Sequence, residues 1–257
     1  MKNILPLFSA LGESIGFVIK QKLFLYFIPA ILLSLVFYYM LSGAQSATSW
    51  LTFMEDWWVI GWIIGLLEKT IHVISFVVFE FVILVLLTPI NSYFAEKVKE
   101  KHTGVKTEFD MAQLIRSLGR TVKILVIALS VEMLILFILW IFSFILGDSF
   151  YYIAALLISS FFLGFSFFDF ALDLEKVKSK DSWKWGKQNY ILATLVGLIF
   201  SLSIYIPEES GLAILYLVSI SFVPHLLVIS SSIVYYKKFV NIDKILDDKI
   251  EEFDEFE

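Results

Sequence analysis

Three acidic residues, Glu80, Glu132 and Asp169, stand inside long apolar runs. An unpaired charge in lipid costs at least ~2.5 kcal/mol, so such acids mark ion or proton paths or internal pairs. Beside an anion path they would serve proton coupling or rest as neutral acids. The alternative for Glu80 and Glu132 is pairing with polar groups on neighbouring helices. For Asp169 it is a cap or a pair with a lysine such as Lys176, because Asp173 and five lysines (Lys176, Lys178, Lys180, Lys184, Lys187) lie just beyond it. A second set offers donors. Lys20, Lys22, Thr88, Asn91, Ser230, Ser231 and Ser232 carry the ammonium, amide and hydroxyl groups that hold an anion without trapping it. The plainer roles are snorkelling to headgroups for the lysines and close helix packing for the serines. His225, next to Pro224, reads as a packed polar residue rather than a proton relay.

These residues need a membrane scaffold to position them. The 257-residue chain is 59% hydrophobic and 17% aromatic, with a mean hydropathy of +0.83. A soluble domain has an apolar share of about 45–50%. Residues 1–22 place Leu7, Leu11, Ile15, Val18 and Ile19 at helical spacing and predict a short surface helix. Leu23 to Leu41 holds no charge and is long enough to span. Ser42 to Ala47 resembles a signal-peptidase site, but the long preceding segment and the later apolar runs argue against cleavage. Trp50, Trp57, Trp58 and Trp62 then mark an outer interface. A second long helix runs from Ile71 to Lys101, kinked at Pro89, with Glu96 to Lys101 in water. Residues 102–121 read as a polar connection. Two hairpins follow, Ile124 to Leu172 turning at Gly147-Asp148-Ser149, and Tyr190 to Tyr236 turning at Pro207 to Gly211.

The expected fold is therefore an all-α integral membrane protein. Two long transmembrane helices precede two helical hairpins, spanning or re-entrant, with amphipathic surface helices at both ends. Residues 1–240 form one membrane domain, and 241–257 an acidic amphipathic tail. Eight acids and two lysines from Asp243 to Glu257 give that tail a charge of −6, against −5 for the whole chain. Of twenty basic residues, all but Lys69 lie in segments that an even number of crossings puts on one side. The positive-inside tendency makes that side cytoplasmic, with both termini there. The basic clusters abut apolar runs, so they meet the lipid bilayer and not nucleic acid. There is no cysteine, the three histidines share no ligand spacing, and no nucleophile elbow or phosphate loop is present. No metal, no cofactor and no enzymatic activity are expected.

Pro89-Ile90-Asn91-Ser92-Tyr93-Phe94-Ala95-Glu96-Lys97-Val98 resembles a Pro-Phe-Asn-x-x-x-Ala-Glu-Lys segment of the CysZ family of bacterial sulfate permeases. Phe168 to Asp173 is similar to that family's aromatic-Asp-Tyr-Pro-x-Asp signature, with Ala171 in the proline's place. Gly197 to Pro207 reproduces its Gly-x8-Ile-Pro spacing, with Ser210 where an asparagine usually stands. The resemblance runs from about Leu11 to Tyr236. It implies a bacterial inner-membrane permease or channel for sulfate or a similar small oxyanion, feeding sulfur assimilation and working as a homo-oligomer. Pro89, Asp173, Gly197 and Pro207 are its structural motif positions. Its basic pair after the surface helix is matched by Lys20-Gln21-Lys22, and its hairpins enter the bilayer part way. A non-transporting scaffold or envelope-assembly protein of the same fold is the alternative.

Overall fold

The computed structural model describes residues 5–36, 82, 84–105, 111–210 and 212–240, and every regular element among them is helical. Helix α1 is Leu5–Lys20, and α2 is Leu23–Val36, which opens with a 3₁₀ turn over Leu23–Phe27. The two meet at a bend of 105°. Next come α3 (Thr88–Thr103), α4 (Met111–Leu146), α5 (Asp148–Leu174), α6 (Ser179–Gln188), α7 (Tyr190–Glu209) and α8 (Ala213–Lys238). Four of these, α4, α5, α7 and α8, are long and apolar enough to cross a membrane. The fold is that of an all-α membrane protein. The tryptophan-rich segment, Glu80, most of the second long helix before residue 84, and the acidic tail lie outside the described residues.

Two helices organise the bundle. Helix α5 packs on α3, α4, α7 and α8, and α8 packs on α1, α3, α5 and α7. The closest approach is between α5 and α7. A Cβ on Gly164 would land on the carbonyl of Ala193, and one on Gly197 on the carbonyl of Ser160. Glycine is therefore required at both positions, because the two backbones touch. Small residues permit such contact where lipid removes the hydrophobic drive to associate. The large rings Phe165, Phe167, Phe168 and Phe200 are buried on either side.

Several elements differ from the sequence reading, each for a physical reason. The apolar stripe of α1 divides: Leu7 and Val18 join Ala10, Ser14 and Phe17 in the core, while Ile15 and Ile19 stay exposed with Phe8. A helix lying across the end of a bundle has one face against protein and another free for lipid. The supposed polar connection is helical from Met111, so α4 has 36 residues, about 54 Å. Its link to α5 is the single residue Gly147, at φ 88, a left-handed value that a β-carbon disfavours. The lysine segment contains α6, whose Trp183 and Trp185 rings pack on Phe165 and Phe168 at 4.6 and 4.9 Å. Pro207 lies inside α7 instead of in the turn. Lys99 is not free in water, because its Nζ is 2.9 Å from Glu175 Oε1. Of the turn acids Asp148, Glu208 and Glu209 only the backbone is described.

The α5 and α7 contact gives a direct test. Gly164→Ala or Gly197→Ala will each destabilise the protein by about 1–3 kcal/mol through overpacking, seen as a lower midpoint of thermal unfolding in detergent. Gly119→Ala is the control and will leave it unchanged or slightly raised, since its Cβ would meet nothing within 4 Å and alanine suits a helix interior better than glycine.

Candidate functional site

Polar residues gather at two levels of the bundle. One is the end where α5 and α8 finish and α7 begins. There Arg120, from α4, reaches across to the end of α5. Its Nη2 is 3.0 Å from Asp169 Oδ1 and 2.8 Å from Ser182 Oγ, and its Nε is 3.0 Å from Asp173 Oδ1. Arg120 also donates to the carbonyl of Val177. One planar guanidinium thus ties α4, α5, the following turn and α6, which a lysine's single point of charge cannot do. The partner of Asp169 is Arg120, not Lys176. Thr121, Ser166 and Asp169 line a water-sized cavity beside this junction.

Other ion pairs complete this end. Glu175 accepts from Lys99 and, at 2.9 Å, from the Tyr236 hydroxyl. Glu13 lies 2.5 Å from Lys237 Nζ and 3.5 Å from Lys101 Nζ, which fastens α1 to α8 and α3. The Lys237 hydrogen bond holds the Glu13 carboxyl below the ordinary carboxylate range. Lys20 and Lys22 flank the bend between α1 and α2, and both are exposed. Lys22 adopts φ 53, ψ 37, a left-handed conformation uncommon outside glycine.

The second level lies inside the bundle. Asn91 and His225 are both fully buried, and His225 Nδ1 donates to Asn91 Oδ1 at 2.7 Å. His225 follows Pro224 in the interior of α8, about 18–20 Å from either end of that helix. Asn91 follows the break at Pro89 by two residues. Asn91 Nδ2 and His225 Nε2 find no partner among the described residues. Aromatic rings enclose the pair: Phe27 and Phe94 meet the imidazole edge-on at 5.0 and 5.2 Å, and Phe27 stacks on Phe222. Phe27 comes five residues after Lys22, so the bend carrying the lysines is anchored on this pair. Further along, the hydroxyls of Ser34 in α2 and Ser221 in α8 are 2.7 Å apart. Ser221 and His225, one helical turn apart, share a face of α8.

The remaining sequence-predicted residues fall elsewhere. Thr88 is buried near Asn91, but its hydroxyl donates to the carbonyl of Leu84, just before α3. Ser230 donates to Leu226 likewise. Ser231 and Ser232 are buried without partners among the described residues. Glu132 of α4 is buried and accepts from Ser159 of α5 at 2.5 Å, which makes it a clasp within the first hairpin. Its second oxygen has no partner among the described residues. Gly197 serves the α5 and α7 contact, Pro207 is buried in α7, and Asp173 belongs to the Arg120 junction. The structure brings Asn91 and Thr88 together at the proline break. Among the described residues no hydrogen bond joins them to Ser230 or Ser231. Arg120 and His225 are the residues sequence reasoning missed or discounted. The available signal was a proline beside a polar residue in an apolar run, twice over.

The family described as sulfate transporter CysZ/etoposide-induced protein 2.4 matches residues 10–208. That segment covers more than half of the 257 residues and ends before α8. Among curated proteins no match is found.

The Arg120 junction predicts a compensating pair of substitutions. Arg120→Met leaves two carboxylates without their cation and will cost about 3–5 kcal/mol, the usual loss when one partner of a buried ion pair is removed. Adding Asp169→Asn and Asp173→Asn will recover a large part of that loss. Unfolding of the wild-type protein, the single variant and the triple variant in one detergent measures both effects.

Proposed function

The chain belongs to the sulfate transporter CysZ/etoposide-induced protein 2.4 family, and we propose that it is a membrane permease or channel for sulfate or a similar small oxyanion. The observation that carries this reading is the uncharged polar pair Asn91 and His225, with His225 buried halfway along α8, a helix of spanning length, and Asn91 buried just past the proline that opens α3. Polar groups at that depth are costly, and in transporters ligand sites sit at broken helices near the midplane. The Asn91 amide gives an anion a hydrogen-bond donor without a fixed charge to trap it, and His225 orients that amide by donating to its Oδ1. The exposed ammonium groups of Lys20 and Lys22, at the bend that leads to the pair, supply the attraction at the mouth.

Several further features belong to the proposal. Clustering of basic residues supports an inner-membrane location in a bacterium with both termini cytoplasmic. On this reading the lipid bilayer and the anion are the partners, the active form is a homo-oligomer, and the activity is transport rather than catalysis, serving sulfur assimilation. The rival reading is a non-transporting membrane scaffold of the same fold.

Purified protein in liposomes separates the two. Radiolabelled sulfate will enter protein-containing vesicles faster than empty ones, and Lys20→Gln with Lys22→Gln will raise the half-saturating concentration about three- to tenfold. Well-folded protein without flux or binding above empty vesicles would favour the scaffold. Sidedness has its own test. Because the chain has no cysteine, Ser149→Cys and Ser210→Cys each introduce the sole thiol. An impermeant reagent applied from the periplasmic side will label both if the hairpins cross.

A further inference from the structure

We propose that Asn91 and His225 form the ligand-contacting constriction of the permeation path, closed in this structure by Phe27, Phe94 and Phe222. The inference rests on the transport reading above and gives it a location.

Three observations converge on this point. First, the pair is polar, fully buried and incompletely bonded. After their mutual hydrogen bond, Asn91 Nδ2 and His225 Nε2 find no acceptor or donor among the described residues. Leaving a buried polar group unsatisfied costs about 1–3 kcal/mol, and the aromatic walls offer no compensating lone pair. The Glu132 and Ser159 clasp is incompletely bonded too, but it joins two helices of one hairpin rather than separate units. Asn91 and His225 do bridge them, being 134 positions apart in sequence. Second, both residues sit just past a proline inside or at the start of a helix. Each proline lacks the N–H that would bond the carbonyl four residues back, so both helices have a bending point at the crossing itself. Third, what closes the crossing is side chains, not backbone contact. Phe27 lies in the 3₁₀ turn just after the exposed lysines, and its ring touches Phe94, Phe222 and His225 at once.

The chemistry selects the ligand class. Asn91 Nδ2 is a donor only, and His225 Nε2, an acceptor while Nδ1 donates to Asn91, becomes a donor when the ring changes tautomer. A buried, unpartnered N–H donor beside a ring nitrogen that can switch to donating fits an oxygen-rich anion or the water that travels with it. They offer nothing to an apolar solute and no carboxylate to a cation. Movement of Phe27 would open the crossing from the lysine side, so anion arriving at Lys20 and Lys22 would meet the amide and imidazole next.

The test is oxyanion uptake into proteoliposomes by Asn91→Ala, Asn91→Asp, His225→Ala and His225→Gln, with radiolabelled sulfate and with thiosulfate as competitor. Every variant is first checked for a single symmetric gel-filtration peak. Asn91→Asp will reduce sulfate flux about tenfold or more by repelling the anion. Asn91→Ala and His225→Ala will shift the half-saturating concentration about fivefold or more and change the preference between the two anions. His225→Gln, which keeps a donor, will restore most of the wild-type value. Should the alanine variants fail to fold, Asn91→Asp and His225→Gln decide alone. Wild-type flux with folded variants of unaltered saturation and preference overturns this inference and leaves the transport reading standing. No flux of either anion through folded wild-type protein overturns both.

Discussion

The arrangement of this bundle depends on backbone contact between α5 and α7. Inside a membrane, burying leucine or phenylalanine against protein gains little over burying it in lipid, so helices must be held by close fit and polar bonds. Gly164 and Gly197 let the two helices approach until each glycine meets a carbonyl of the other. That fixes the hairpins antiparallel and brings the end of α5 beside the start of α7. The short α6 can then fold back under them, with Gly186 against the Phe165 ring and two tryptophans wedged among phenylalanines. Helix α8 has its place only after this frame exists, since it packs on both α5 and α7.

Basic charge among the described residues gathers at one end of that frame, and part of it is paired across elements. Arg120 joins four segments, Glu175 joins α3 to α8, and Glu13 fastens the surface helix to both. The lysines expected to lie simply on headgroups therefore divide into two kinds. Lys99, Lys101 and Lys237 bind protein carboxylates. Lys176, Lys178, Lys180, Lys184 and Lys187 remain exposed at the same end, with Lys20 and Lys22. An end so bonded resists movement, which leaves the proline breaks farther in as the places where helices can bend.

Hydropathy made the architecture legible: run lengths gave the helices, and short polar gaps gave the hairpins. It failed where the determinant was an encounter between distant residues. Arg120 lay in what looked like a connecting segment, and its carboxylate is 49 positions away. Lys176 was nearer in sequence to Asp169, yet it occupies a left-handed turn position, and the guanidinium reaches the carboxylate instead. Helix α6 was hidden because its lysines dominated the hydropathy, although Ser182 and Gly186, four apart, form its buried face. Asn91 was recognisable as a donor in a break, but its partner could not be known, and His225 looked like ordinary packing without it.

The comparison between Glu132 and the Asn91–His225 pair shows why depth alone does not identify a transport site. Both are buried polar sites, with Glu132 and His225 on helices of spanning length. Glu132 bonds a serine on the helix joined to its own by the single residue Gly147, so that bond closes a unit already closed by the chain. Nothing near it breaks either helix. Asn91 and His225 join α3 to α8, each helix is interrupted by proline at the same level, and the surrounding seal is made of side chains that can rotate. A path that must open and reclose needs polar groups that can exchange one partner for another, and helices that can bend where those groups sit. Only the second arrangement has both.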